Sequence, residues 1–151
     1  LNPRLTERIP DERKFLVYIN AMTQLGIDSN HRISTTDNRL IRRMVRDHQF
    51  RKHSPLETLR QWPSVRRGEE RWIFPFQSRA DAVFNSALDY ELAVLKPFAE
   101  PLLMQVKPTH PEYAEARRLS AFLLNFLALS EREVPSTSIL REYIGRSGFR
   151  Y

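Results

Sequence analysis

The chain has 151 residues, of which 41% are hydrophobic and 28% charged, a composition that suits one globular domain and does not indicate disorder. It contains no cysteine, which excludes disulfides, thiolate metal sites and cysteine nucleophiles. No apolar run approaches the roughly 18 residues that a membrane span needs and no signal-peptide pattern is visible, so we expect a cytoplasmic protein without membrane partners.

The first half of the chain is predicted to contain a strand and two helices. Residues 13–19 are rich in aromatic and β-branched side chains, which indicates a buried strand. After a loop, one of residues 34–36 is expected to cap a helix that runs to about Asp47. A second helix is predicted from Pro55 to Trp62, followed by a surface loop over 63–76.

The second half is predicted to be mainly helical. Residues 80–85 fit a second short strand, although their length also suits the start of a helix. Helices are then expected over 86–95, 97–104 and 111–129, and from Ser136 or Thr137 to Gly145. The composition becomes more apolar between 80 and 96, so we expect a subdomain border there. The apolar stretch 120–129 needs a core or a partner, so a dimer or interdomain surface formed by the helices after Lys96 remains an open alternative.

The net charge of +6 is concentrated in one segment. Between Arg39 and Arg71, ten basic residues stand against four acidic ones, whereas the rest of the chain is balanced. Arginine outnumbers lysine twenty to four, and guanidinium groups bind phosphates and carboxylates in a bidentate manner. The segment therefore predicts an anion-binding surface.

Four arginines of this segment share one face of the first predicted helix. Arg39, Arg42, Arg43 and Arg46 are spaced i, i+3, i+4 and i+7, with apolar residues on the other side. Asp37 and Asp47 bracket the stripe and are each expected to pair with one arginine. Three uses remain open on the residues alone: a solvated basic face with internal salt bridges, a nucleic-acid backbone site, and a site for a small phosphorylated ligand.

The segment "TDNRLIRRMVRDHQFRK" resembles the lid of uridine kinases, in the phosphoribulokinase/uridine kinase family of P-loop kinases. The family motif is D-x-R-L-x-R-R-x-x-R-D-x-x-x-R-G, and the matching residues here are Asp37, Arg39, Leu40, Arg42, Arg43, Arg46, Asp47 and Arg51. Further stretches, such as "IPDERKFLVYINAMTQL" and "SILREYIG", are similar to a bacterial branch with threonyl-tRNA-synthetase-like modules upstream.

The resemblance implies a nucleoside kinase that transfers the γ-phosphoryl group of ATP to a nucleoside 5′-hydroxyl. Arg46 and Arg51 would then contact the phosphates as catalytic residues. Arg43, His53 and Gln61 would lie on the substrate side. The remaining motif residues, Asp37, Arg39, Arg42 and Asp47, would support the lid structurally.

The resemblance also implies that parts of the kinase lie outside this chain. The chain has four glycines and no glycine-rich phosphate loop. Residues 1–95 would form the C-terminal half of the kinase core, with the lid at about 34–53, and residues 96–151 a helical appendix. We expect a mostly helical α/β chain with an incomplete parallel sheet, a partner in the upstream kinase half that holds most of the ATP and Mg²⁺, and a possible homo-oligomer.

Two positions depart from the family pattern, and the second of them concerns substrate specificity. Lys52 replaces the glycine of the motif, and His53 stands where an arginine is often found. The runner-up hypothesis is a basic RNA-binding module, in which aromatic residues such as Trp62 and Trp72 would stack on bases. His48 and His53 are five residues apart with no third ligand nearby, so no metal site is predicted there.

Overall fold

The computed structural model describes residues 7–150, which form a mixed α/β structure. Two strands, β1 (Val17–Asn20) and β2 (Ala82–Asn85), are joined by a long crossover. The helices in chain order are α1 (Thr35–Arg51), α2 (Pro55–Trp72), α3 (Glu91–Leu103), α4 (Tyr113–Leu123) and α5 (Arg141–Ile144). Short 3-10 turns cover Asp11–Arg13, Phe74–Arg79 and Glu131–Glu133.

The two strands pair in parallel, as the sequence predicted for an incomplete sheet. Tyr18 is opposite Val83 and Ile19 is opposite Phe84. Parallel sheets are normally buried on both faces, yet Ile19, Val83 and Phe84 are each more than half exposed. The first strand begins at Val17 rather than at residue 13, because Asp11–Arg13 turn back as a 3-10 helix.

Helix α1 lies in the centre of the structure. The side chain of Ser34 accepts a hydrogen bond from the Asp37 backbone N–H and caps its start. Lys52, with φ of 56°, ends it in the left-handed conformation. The apolar face of the helix is buried, with Leu40, Ile41, Met44 and Val45 at most 1% exposed. Helix α1 therefore contributes its apolar face to the core, and moving segment 34–53 as a lid would expose that face.

The prediction of a surface loop over 63–76 is wrong, because α2 continues through Pro63 to Trp72. A capping box between Ser54 and Glu57 starts this helix. Beyond the proline, Arg66 pairs with Glu69 and Glu70 at helical spacing, 3.5 and 3.2 Å away. These contacts hold the second half of α2 as a helix although Pro63 has no backbone N–H to donate.

The two helices expected at 86–95 and 97–104 are one helix, α3, which contains Pro97. A proline deprives the carbonyl four residues earlier of its donor, here that of Ala93. The backbone N–H of Leu129 donates to this carbonyl at 3.0 Å. The returning chain thus supplies the missing hydrogen bond. Because this contact holds Leu129 against α3, the chain leaves the helical path after Leu123, and α4 does not continue to 129 as expected.

The last predicted helix is shorter than expected, since α5 covers only Arg141–Ile144. The Arg141 guanidinium donates to the carbonyls of Val134 and Glu131, at 2.5 and 3.0 Å. The preceding segment therefore folds around this side chain as turns instead of continuing the helix.

One hydrophobic core unites the chain from Ile33 to Ile144. The expected border between residues 95 and 96 falls inside α3, whose Leu95 and Ala99 are both buried in that core. Among residues 7–150, no helix combines the length and the apolar character that crossing a bilayer would demand.

A buried ion pair crosses this core. The side chains of Arg42 and Glu91 are 5% and 1% exposed, and Arg42 Nε donates to Glu91 Oε2 at 2.9 Å. Arg42 also donates to the carbonyl of Ser86, just after β2, at 2.6 Å, and its guanidinium lies over the ring of Tyr143. Asn38 donates to the other oxygen of Glu91. The pair therefore connects α1, α3, α5 and the end of β2.

Replacing Glu91 by glutamine would leave the Arg42 charge buried without a carboxylate. We expect Glu91→Gln to lower the free energy of unfolding by about 3–5 kcal/mol, measured by urea unfolding followed by circular dichroism at neutral pH. The matched control is Glu142→Gln, which removes a half-exposed partner of Arg46 and should cost at most about 1 kcal/mol. Equal losses in the two variants would contradict the central role of the buried pair.

The capping box should make stability depend on pH. The Ser54 backbone N–H and hydroxyl bond to the Glu57 carboxylate and hold its pKa below the usual value of 4.5. A lowered pKa in the folded state stabilises the protein above the unfolded-state pKa, and this contribution is lost as the pH falls through the folded-state pKa. We expect Glu57→Gln, which keeps the capping geometry, to flatten the decline in urea midpoint between about pH 6 and about pH 3. An unchanged slope would refute this expectation.

Candidate functional site

A pocket of about 200 Å³ lies at the carboxyl ends of the two parallel strands. In open parallel sheets, ligands bind outside these strand ends. Here Asn20 ends β1 and Ser86 follows β2, while Trp62 of α2 and Tyr143 of α5 form further walls. We call this the arginine pocket, since the side chains of Arg39, Arg42, Arg43 and Arg46 all line it.

The four arginines are unequal, because the acidic partners of Arg39, Arg42 and Arg43 are at most 4% exposed, whereas that of Arg46 is 43% exposed. Arg42 is held by the buried Glu91, as described above. Arg39 donates to the buried carboxylate of Glu69 at 2.5 Å and to Asn20 Oδ1 at 3.1 Å. These two arginines therefore act as structural residues that connect α1 to the strand ends and to α2. Of the partners expected for them, which were Asp37, Asp47 and the carboxyl-terminal edge of the sheet, the contacts to Asn20 and Ser86 confirm the sheet edge.

Arg43 contacts two side chains, Asp47 of α1 and Gln61 of α2. Its Nε is 3.1 Å from Asp47 Oδ2, close enough for an ion pair although these two atoms form no hydrogen bond. Its terminal nitrogen donates to Gln61 Oε1 at 3.4 Å. Asp47 also accepts from Arg51 at 2.9 Å. One buried carboxylate thus serves two arginines, which leaves a positive charge uncompensated.

Arg46 is the arginine whose partner is most easily exchanged. It donates to Glu142 at 2.8 Å, and the two side chains are 28% and 43% exposed. Such exposed pairs contribute about 0–1 kcal/mol. Its Nε is buried and has no hydrogen-bond partner among residues 7–150. Arg46 also lies over the ring of Tyr143, 5.9 Å from its centroid, and burial raises the pKa of that phenol.

The other predicted site residues lie elsewhere. Arg51 lines a second cavity, next to the arginine pocket, which also includes Arg46. His53 is buried at Nδ1 with no partner for that atom within the described chain, and its backbone N–H donates to the Asp47 carbonyl. Asp37 accepts two hydrogen bonds of 2.7 Å from Arg118 of α4. The hydrogen bonds that Arg118 donates to the carboxylates of Glu115 and Asp37 raise its pKa.

The sequence did not identify several residues that line the pocket. Asn20, Glu69, Ser86 and Tyr143 come from four separate parts of the chain. Asn20 was detectable in principle, because a polar residue that ends a buried strand is a common ligand contact. Tyr143 carries no local signal, since only tertiary packing brings α5 against α1.

The arrangement suits an anion rather than a metal ion. Between residues 7 and 150, no three histidine, aspartate or glutamate side chains cluster as metal ligands would. Guanidinium groups at the rim of a partly desolvated pocket bind phosphate strongly, because they offer several donors in a fixed plane. Arg43 and Arg46 are the two residues that could offer such donors here.

No protein-family model, no curated protein and no solved structure matches this chain.

Proposed function

We propose that this chain is the C-terminal part of an ATP-dependent nucleoside kinase, and that Arg46 and Arg43 contact phosphate in the arginine pocket. The observation that carries the proposal is the convergence of arginines on the carboxyl ends of two parallel strands. Phosphoryl transfer asks the protein mainly to position the substrates and to stabilise charge on the transferring oxygens. Arginines in this place meet that demand.

Arg46 is the best candidate for stabilising the transferring phosphoryl group. Its bond to the half-exposed Glu142 costs little to break, and its buried Nε has an unused donor. Arg42 would have to abandon a buried carboxylate, which costs several kcal/mol. In this proposal the arginines act from the fixed helix α1, without a lid movement. A direct role of Arg51 and His53 stays a prediction from the family resemblance.

The proposal requires a second structural unit. The sequence of 151 residues contains no P-loop, so the ATP phosphates and Mg²⁺ would be held mainly by a kinase half outside it. The exposed apolar residues of the sheet support this arrangement, since Ile19 and Phe84 would be covered in a complete parallel sheet. A nucleoside 5′-hydroxyl is the proposed acceptor.

A basic RNA-binding module is the second candidate. Arg71 lies over the exposed ring of Trp72 and Arg66 over Phe74, so arginine and aromatic groups alternate near the end of α2. Such a mixture suits single-stranded nucleic acid. The arginines of α1, however, converge into a concave pocket instead of forming a continuous face, which favours a small phosphorylated ligand.

The kinase proposal predicts a large catalytic loss on removal of Arg46. In the complete gene product, assayed for uridine 5′-phosphorylation with ATP and Mg²⁺, we expect Arg46→Ala to lower kcat by about 100-fold or more. The matched control is Arg60→Ala on α2, whose guanidinium binds Glu112 outside the arginine pocket and whose loss should change kcat less than about twofold.

Two outcomes would contradict the kinase proposal. The first is absence of turnover with any nucleoside in the folded complete protein. The second is an equal loss of activity in the Arg46 and Arg60 variants. RNA binding that weakens steeply with salt, in a protein without kinase activity, would favour the second candidate.

A further inference from the structure

A second cavity, of about 470 Å³, lies between the end of α1, helix α5 and the segment after α5. Its size falls within the range of small-molecule sites. Two phenylalanines line it, Phe50 and Phe149, and their side chains are 54% and 56% exposed. Exposed aromatic rings that face a cavity from two different segments are suited to holding a planar ring between or against them.

The charged residues around the cavity are mostly arginines. Arg46, Arg51, Arg141 and Arg146 line it together with a single carboxylate, that of Glu142. The acidic ion-pair partners of these arginines are Asp47, Glu131 and Glu142, and Asp47 also pairs with Arg43. Counting all of them gives five arginines and three carboxylates, a net charge of +2. A ligand with a doubly charged group would balance this excess.

The buried guanidinium of Arg141 strengthens the preference for an anion. Within the described chain it is held by main-chain carbonyls, including those of Val134 and Glu131, and not by a carboxylate. A buried cation that is compensated only by carbonyl dipoles favours a nearby negative charge. The adjacent residues Gly145 and Arg146 have φ of 84° and 59°, and this left-handed pair directs the chain around the cavity.

From these contacts we infer that the second cavity is a binding site for a mononucleotide, with the base at Phe50 and Phe149 and the phosphate at Arg51 and Arg146. Phosphate matches the excess charge better than a single carboxylate does, because it carries up to two negative charges at neutral pH. Arg51 and Arg146 can both turn toward it, since their side chains are 48% and 77% exposed. The site goes beyond the proposed kinase function and does not depend on it.

The test is a titration of the full 151-residue chain with AMP, followed by backbone amide NMR shifts and by calorimetry. We expect shifts at the amides of Gly145, Arg146 and Ser147, and at least tenfold weaker binding of adenosine and of inorganic phosphate, because each supplies only one half of the contacts. Phe149→Ala and Arg146→Gln should each weaken AMP binding by about tenfold.

Two controls separate this site from its alternatives. Phe84→Ala removes an equally exposed phenylalanine on β2 and Arg132→Gln an exposed arginine near Glu131, and both should leave AMP binding unchanged. Circular dichroism confirms the fold of each variant.

Two results would overturn the inference. One is binding of AMP that Phe149→Ala and Arg146→Gln both leave unchanged. The other is absence of any AMP-induced shift at about 10 mM. The two proposals can fail separately. If the 151-residue chain binds AMP as expected but the complete gene product has no kinase activity, the kinase proposal fails and the mononucleotide site stands.

Discussion

The buried ion pair of Arg42 and Glu91 is the contact on which the arrangement of the chain depends. Two charges that are withdrawn from water need each other and a full set of hydrogen bonds, and here these come from Ser86, Asn38 and Tyr143. Because the donors and acceptors belong to α1, α3, α5 and the end of β2, the pair fixes the relative positions of these elements. This network also forms one wall of the arginine pocket, because Arg42, Ser86 and Tyr143 line it.

The burial of the acidic partner separates Arg46 from Arg39 and Arg42, while Arg43 shares the buried carboxylate of Asp47 with Arg51. Arg42 and Arg39 face buried carboxylates and stay in place, whereas Arg46 faces Glu142, which water reaches. An arginine-rich helix therefore performs two tasks at once. One part of the stripe holds the sheet ends and helices together, and the other presents guanidinium groups to two neighbouring cavities, with Arg46 lining both.

The structure also shows how α3 and α4 depend on one another. Pro97 frees the carbonyl of Ala93, and the backbone of Leu129 returns to bind it, while Lys96 donates to the carbonyl of Phe126 at 2.7 Å. The chain after α4 is thus fixed by hydrogen bonds to α3 and closes the core. By contrast, the small sheet leaves Ile19 and Phe84 exposed, and this is the part of the structure that a larger parallel sheet would cover.

The sequence by itself determined the elements whose signals are local. The apolar runs near Val17 and Ala82 predicted two strands, and the cap candidates at 34–36 and the proline at 55 predicted the starts of α1 and α2. The i, i+3, i+4, i+7 spacing placed four arginines on one face, which the pocket confirms. Only the tertiary structure decided what the signal of Pro97 means, since the distant backbone N–H of Leu129 binds the carbonyl that this proline frees. It also decided the partners of Arg39, Arg42 and Arg46, because Glu69, Glu91 and Glu142 lie 30, 49 and 96 residues along the chain from them, where no local pattern could identify them.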